Sequence, residues 1–234
     1  MNIEQAKVIV PESELSQDIL QKIERAGRIC YKSEDSITES SAGPFVKNLI
    51  TRGHESVIEH EKITVMFVTD RGVTHEIVRH RMGSYSQEST RYCNYSHEKF
   101  GNSITFIEPK FYINKPEYNS WVKMCMMIED EYFNLLNVGS TPQEARTILP
   151  NSLKTEIAVT YNLREWRHFF KERCSKAAHP QMREIAIPLL IKFQEFLPEV
   201  FEDINYDRAF AEEYSLAKVY LSDDKFQNLK EWEI

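Results

Sequence analysis

The chemistry written into this chain is densest between Arg79 and Tyr92. Arg79, His80, Arg81 and Arg91 fall within thirteen positions, with Ser89 among them. Arginine presents a planar fork that grips phosphate or carboxylate in two places, so the run reads as an anion trap. A helix C-terminus also attracts cations. That accounts for one or two of these residues, but not for three arginines and a histidine set between Ile77, Val78 and Tyr92. A second group spans Asn162–Arg173. On a helix, Arg164, Arg167, His168 and Lys171 share one side. Arg164 and Arg173 are nine residues, about 900°, apart and so lie on opposite sides. One helix can then serve two ligands or two subunits; read alone, it is an ordinary amphipathic surface helix. A third element places Arg146 just before the Leu149-Pro150 stop.

Several chemistries are excluded. The seven glycines form neither a dinucleotide fingerprint nor a phosphate loop, and no nucleophile elbow is present. His75 and His80 resemble a zinc helix motif with one residue too many, which turns the imidazoles about 140° apart. His54 and His60 are spaced equally poorly for a helix, and no metal is expected. The four cysteines form no paired motif. With no apolar leader in residues 1–11, they read as reduced thiols in the cytosol.

The elements that must position these groups are legible in outline. Ala6–Val10 reads as a strand stopped by Pro11. Ser13 reads as the cap of a helix running to Gly27, with Leu15, Ile19, Ile23 and Ala26 on one face. Phe45–Thr51 is a short helix closed by Gly53. Lys62–Thr69 is β-branched and nearly all apolar, a strand buried on both faces. Thr69 or Asp70 then caps a helix through about Arg79. Residues 83–103 read as a loop rich in Ser, Tyr and Asn, with a short strand at Ser103–Ile107. Tyr118–Leu136 keeps helical spacing. Thr141-Pro142-Gln143-Glu144 is a helix start with cap, proline at the first position and glutamate at the third. Thr155–Tyr161 is a second apolar strand; Leu163–Cys174 and Gln181–Leu197 are helices. The polar segment 211–234 is expected to be peripheral. The sum is an α+β, helix-rich single domain over residues 1–234 with a small central sheet. A net charge of −7 argues against a general nucleic-acid binder built on the basic helix, and no apolar run is long enough to span a membrane.

In order, these elements resemble the flavin-dependent thymidylate synthase family. His54-Glu55-Ser56 with Glu59-His60 is similar to its early HE[ST]xxEH element. Arg79–Tyr92 resembles its RHRxxSxxxxSxRY signature, Ala145–Pro150 its ARxxLP segment, and Asn162–Arg173 its NxRxxxxFxxxR helix. The resemblance covers roughly residues 20–200 and implies that family's fold and homotetramer, with active sites where subunits meet. It implies methylation of dUMP at C5 to dTMP, with methylenetetrahydrofolate as carbon donor and FAD reduced by NADPH as hydride source. Carried over by position, Ser56, Arg79, His80, Arg81, Gln87, Asn162, Leu163, Arg164 and His168 contact FAD. Glu76, Ile77, Val78, Arg79, Gln87, Glu88, Ser89, Thr90, Arg91, Arg146 and Arg173 surround dUMP. His54 lies on the flavin or folate side.

Three positions depart from the expected pattern: Glu76 stands where Gln is familiar, Gln87 where Glu is, and His168 where Asn is. Glu76 sits uneasily beside an anionic nucleotide; it either meets dUMP or orients an arginine. The family reading needs no cysteine nucleophile. Arg173, held against the uracil edge, stabilises the charge that develops as C5 attacks. A nucleotide-binding regulator of the same fold, without catalysis, is the competing reading.

Overall fold

The computed structural model describes residues 1–16, 18–97 and 101–227. In chain order the strands are β1 (Asn2–Glu4), β2 (Lys7–Val10), β3 (Lys62–Asp70), β4 (Gly83–Gln87), β5 (Thr105–Ile107), β6 (Lys154–Asn162) and β7 (Lys218–Leu221). The helices are α1 (Asp18–Ile29), α2 (Ala42–Thr51), α3 (Arg71–Ile77), α4 (Pro116–Asn137), α5 (Pro142–Ala145), α6 (Leu163–Arg173), α7 (Pro180–Phe196), α8 (Pro198–Phe201), α9 (Arg208–Glu213) and α10 (Asp223–Gln227). A 3₁₀ helix covers Glu55–His60. The α+β expectation, helix-rich around a small sheet, holds. No helix among the described residues is long and apolar enough to cross a membrane.

The two β-branched runs form the centre. β3 pairs antiparallel with β6 along its whole length, Lys62 opposite Asn162 and Asp70 opposite Lys154. The five-stranded sheet runs β4-β6-β3-β2-β7. Successive side chains of a strand face opposite ways, and β3 uses both faces as its apolar run predicts. Ile63, Val65 and Phe67 enter the main core with the aromatic side of α6 and with α7. Met66 and Val68 enter a smaller cluster with Ile9, against Tyr220 and Phe226. Trp166, Phe169 and Phe170 of α6 are fully buried. Each contributes roughly 1.5–3 kcal/mol by leaving water, so α6 is clamped to the sheet.

Four local expectations are revised. Residues 83–87 are not loop but the edge strand β4, paired with β6 from Gly83 opposite Tyr161 to Gln87 opposite Ile157. Glycine and serine favour strands weakly, but Tyr85 and Gln87 turn inward while Ser84 and Ser86 face out. Residues 98–100 of that expected loop lie outside the described residues. Ser13 caps no helix; its hydroxyl donates to Asp223, and α1 begins at Asp18. The segment 211–234 is not wholly peripheral, because β7 joins β2 in parallel and covers the sheet's second face; residues 228–234 lie outside the described residues. Finally α3 stops at Ile77, leaving Arg79–Arg81 beyond its end.

Candidate active site

The short helix α3 aims the cationic run. Asp70 caps it, accepting from the Val73 amide at 2.8 Å. Burial pushes the Asp70 carboxyl up to about 6. At the other end, the Tyr161 hydroxyl donates to the Ile77 carbonyl at 3.1 Å, and the Tyr85 hydroxyl bonds the His80 carbonyl. Two tyrosines from adjacent strands thus tie down the carbonyls that α3 leaves open. Gly83 permits this close approach: a Cβ there would meet the Tyr161 ring at 2.3 Å.

The chain then alternates. Arg79 and Arg81 are exposed, whereas His80 is 5% exposed. His80 is the hub of the site. Its Nδ1 lies 3.0 Å from Glu165 Oε1, and its Nε2 accepts from Arg173 Nε at 3.1 Å. The His168 and Phe169 rings meet it edge-on at 5.2 Å. Burial, with the nearby charges of Arg173 and His168, pushes the imidazole down to about 4, so it is neutral near pH 7.

Arg173 closes α6 against α3. Its Nη1 donates to Glu76 Oε2 at 3.1 Å and its Nη2 to the Glu76 carbonyl at 3.3 Å. With the His80 bond, these engage three of its five N–H donors and leave two without a partner among the described residues. Glu76 therefore contacts an arginine, one of the two roles open to it. Neither Arg79 nor Arg81 has an ion pair or hydrogen-bonded side-chain partner among the described residues, so two guanidinium groups stand open beside this assembly. Arg146, exposed at the end of α5, donates to Thr90 at 3.4 Å, which brings the third element onto the first. The Ser89 hydroxyl accepts from the Arg91 amide at 3.3 Å, and the exposed Arg91 lies over the Tyr92 ring.

The remaining expected residues have packing or hydrogen-bond partners of their own. The Ile77 and Leu163 side chains are fully buried in the core, so a ligand would meet these two positions through the backbone. Val78 is half-exposed at the end of α3. Gln87 donates to Thr74 at 2.9 Å and Thr155 at 3.3 Å. Glu88 accepts from the Tyr95 hydroxyl at 3.0 Å, and burial raises its carboxyl. Asn162 caps α6, its side chain accepting from the Glu165 amide at 2.8 Å.

Next to the hub, along α6, lies an open cleft of about 400 Å³ whose lining includes Glu59, Met82, Arg164 and Lys171 together with the His80 neighbours Glu165 and His168. Arg164 bonds Glu59 at its edge; His54 and Ser56 are exposed on the neighbouring 3₁₀ segment. Arg167, read from sequence as a surface cation, is 2% exposed. It binds Glu55 at 3.0 Å, grips Asp203 with both terminal nitrogens and donates to the Val200 carbonyl, which pins the 3₁₀ segment, α8 and the turn after it to α6.

His75 and His60 do not assemble with the other histidines. His80, Glu165 and His168 do, with ligand-type atoms within 4.8 Å of one another. Yet both His80 nitrogens are already engaged, one by a guanidinium that would repel a cation. The family resemblance gives Glu165 no role. Three residues after Asn162, it reads as a helix-start glutamate, and nothing local points it at His80. Buried Cys174 has its thiol pushed well up by burial, and burial pushes Cys125 up to about 11.

A sequence model of the family described as "Thymidylate synthase complementing protein" matches residues 14–199. A flavin-dependent thymidylate synthase of Geobacter sulfurreducens is 31% identical over 185 residues, covering 76% of this chain and 78% of its own. One from Pyrococcus furiosus is 35% identical over 166 residues, covering 70% and 67%. Among solved structures, a UMP/dUMP methylase from Streptomyces cacaoi bound with 5-Br dUMP superposes with a TM-score of 0.67. It covers 86% of this chain and 96% of its own at 20% identity, a likeness of fold.

Proposed function

The chain belongs to the flavin-dependent thymidylate synthase family, and from that premise we propose that it converts dUMP to dTMP by reductive methylation at C5. The carbon donor is methylenetetrahydrofolate and the hydride comes from NADPH through bound FAD. The observation that carries this reading is Arg173. It is held by His80 and Glu76, with two N–H donors unspent, and the unpaired Arg79 and Arg81 flank His80 in the chain.

The donor set fits a flavin dinucleotide. Arg164, Lys171 and His168 line one wall of an open cleft with apolar Met82, and Arg79 and Arg81 offer unpaired cations for a pyrophosphate. These residues, with Ser56 and the rim of Asn162, would hold it. The flavin supplies hydride and one-carbon chemistry that no side chain can.

The chain's own residues do the rest. Arg91, Arg146 and the backbone around Ser89 clamp the phosphate of dUMP. The two unspent N–H groups of Arg173 take the uracil carbonyl edge and stabilise the negative charge that builds as C5 attacks. The guanidinium is already oriented, so no reorganisation is needed at the moment of reaction. No thiol is required: buried Cys174 stays protonated. The homotetramer, with active sites where subunits meet, comes from the family resemblance; the exposed Met124, Met126 and Met127 of α4 offer an apolar surface that such an assembly would cover. The four free cysteines suit the cytosol.

The test is the visible absorption spectrum of the purified protein. An oxidised-flavin band that NADPH bleaches faster with dUMP present, together with dTMP formation on adding methylenetetrahydrofolate, supports the reading. A colourless protein that takes up no FAD and makes no dTMP rejects it.

A further inference from the structure

Glu165 is not among the residues expected at the site, yet it lines the cleft and touches the hub. His80 has two ring nitrogens, and the neutral ring protonates one of them. A guanidinium has donors only, and an ionised carboxylate accepts only. Arg173 Nε, 3.1 Å from Nε2, therefore demands a bare Nε2. Glu165 Oε1, 3.0 Å from Nδ1, demands a protonated Nδ1. Both neighbours call for the same tautomer. The opposite one would set N–H against N–H at Arg173 and a lone pair against a carboxylate at Glu165. The ring has little freedom to escape: it is 5% exposed, and Phe169, His168 and Tyr161 pack around it.

We propose that Glu165 is a positioning residue for Arg173, acting through His80. By accepting the Nδ1 proton it selects the tautomer whose Nε2 lone pair holds the Arg173 Nε–H, and so sets the angle at which the two free donors of Arg173 face the substrate. Glu76 fixes the other edge of the same guanidinium. The proposal rests on the reading that Arg173 activates dUMP, but the tautomer it specifies belongs to the protein itself.

The test is nitrogen NMR of the protein labelled with ¹⁵N-histidine, with His80 identified by the signal lost in His80→Gln. At neutral pH the wild-type ring is expected to show a protonated Nδ1 and a bare Nε2. Glu165→Gln, whose amide oxygen still accepts, keeps that pattern and keeps most turnover. Glu165→Leu leaves Arg173 as the one neighbour that specifies the tautomer, and moves the ring toward an averaged pattern. It also lowers kcat for dTMP formation about a hundredfold, as misplaced groups do, with KM for dUMP little changed because the lost interaction belongs to the transition state. Glu165→Ala, which adds no bulk, is the second variant. A wild-type tautomer persisting in the folded leucine or alanine variant overturns the proposal, as does a wild-type ring protonated at Nε2. A wild-type protein that makes no dTMP rejects the activity reading instead, and the ring spectra still decide the role of Glu165.

Discussion

Arg173 Nε donates to His80 Nε2 at 3.1 Å, so a helix-end cation is held by a neutral ring rather than by a carboxylate alone. The arrangement keeps the guanidinium charge only partly compensated. Glu76 supplies one carboxylate contact at 3.1 Å, and His80 supplies none of the charge. Removing the guanidinium leaves His80 and Glu76 without their partner but does not open the core. Arg173→Ala is therefore expected to abolish dTMP formation, a loss on the order of 10²–10³ in kcat for a single oriented donor, while flavin stays bound. Steady-state rates beside the flavin absorbance check this; near-normal turnover would end the activation role.

Glu76 tests how much of that orientation is hydrogen bonding and how much is charge. Glu76→Gln keeps an acceptor for Arg173 Nη1, and the backbone carbonyl that serves Nη2 is untouched. Turnover is expected to stay within about tenfold of wild type. Glu76→Ala loses more, because a hydrogen bond to a charged group is worth about 1.5–3 kcal/mol. Equal losses in both variants would show that the charge, not the bond, matters.

Asp70 gives the folded state a pH dependence of defined sign. Its carboxyl is raised from 3.8 to about 6 by burial, so the stability of the protonated form is fully present below 3.8 and is lost as pH rises through about 6. Asp70→Asn keeps an acceptor for the Val73 amide and carries no charge. The variant should gain on wild type across that window, by on the order of 3 kcal/mol above it. Thermal unfolding as a function of pH reads this out, and a pH-independent difference would contradict it. His80 acts oppositely: its depressed pKa makes the folded state lose stability as pH falls from 6.5 toward about 4.

The thiols should be dispensable for chemistry. Cys174→Ser is expected to remain active but less stable by about 1–3 kcal/mol, the cost of a buried hydroxyl without a partner. Cys93→Ser is expected to retain both activity and stability. A folded but inactive variant at either position would restore a thiol nucleophile.

Gly83 is a packing requirement that reaches the site. A methyl group there would meet the Tyr161 ring at 2.3 Å, and Tyr161 holds the Ile77 carbonyl at the end of α3. Gly83→Ala is expected to cost about 1–3 kcal/mol through overpacking and to lower turnover as His80 shifts. Calorimetry and rates measured on the same preparation separate the two effects.

What the sequence determined by itself was local chemistry and local structure. The apolar β-branched runs became β3 and β6, Asp70 became the cap of α3, Thr141–Glu144 became a helix start, and the ordered motifs gave the family. These depend on neighbours within a few positions, and residue type carries that information directly. Tertiary structure alone decided the partners. Glu76 and Arg173 are 97 residues apart, and His80 and Glu165 are 85 apart; no local pattern states that α3 and α6 end against each other. Arg167, charged and at helical spacing with surface residues, reads as solvent-facing, but the turn after α8 brings Asp203 to it. Residues 83–87 and 218–221 became strands because open sheet edges lay beside them. Long-range packing supplies the acceptor, the edge or the burial, and a side chain's role follows from what is placed against it.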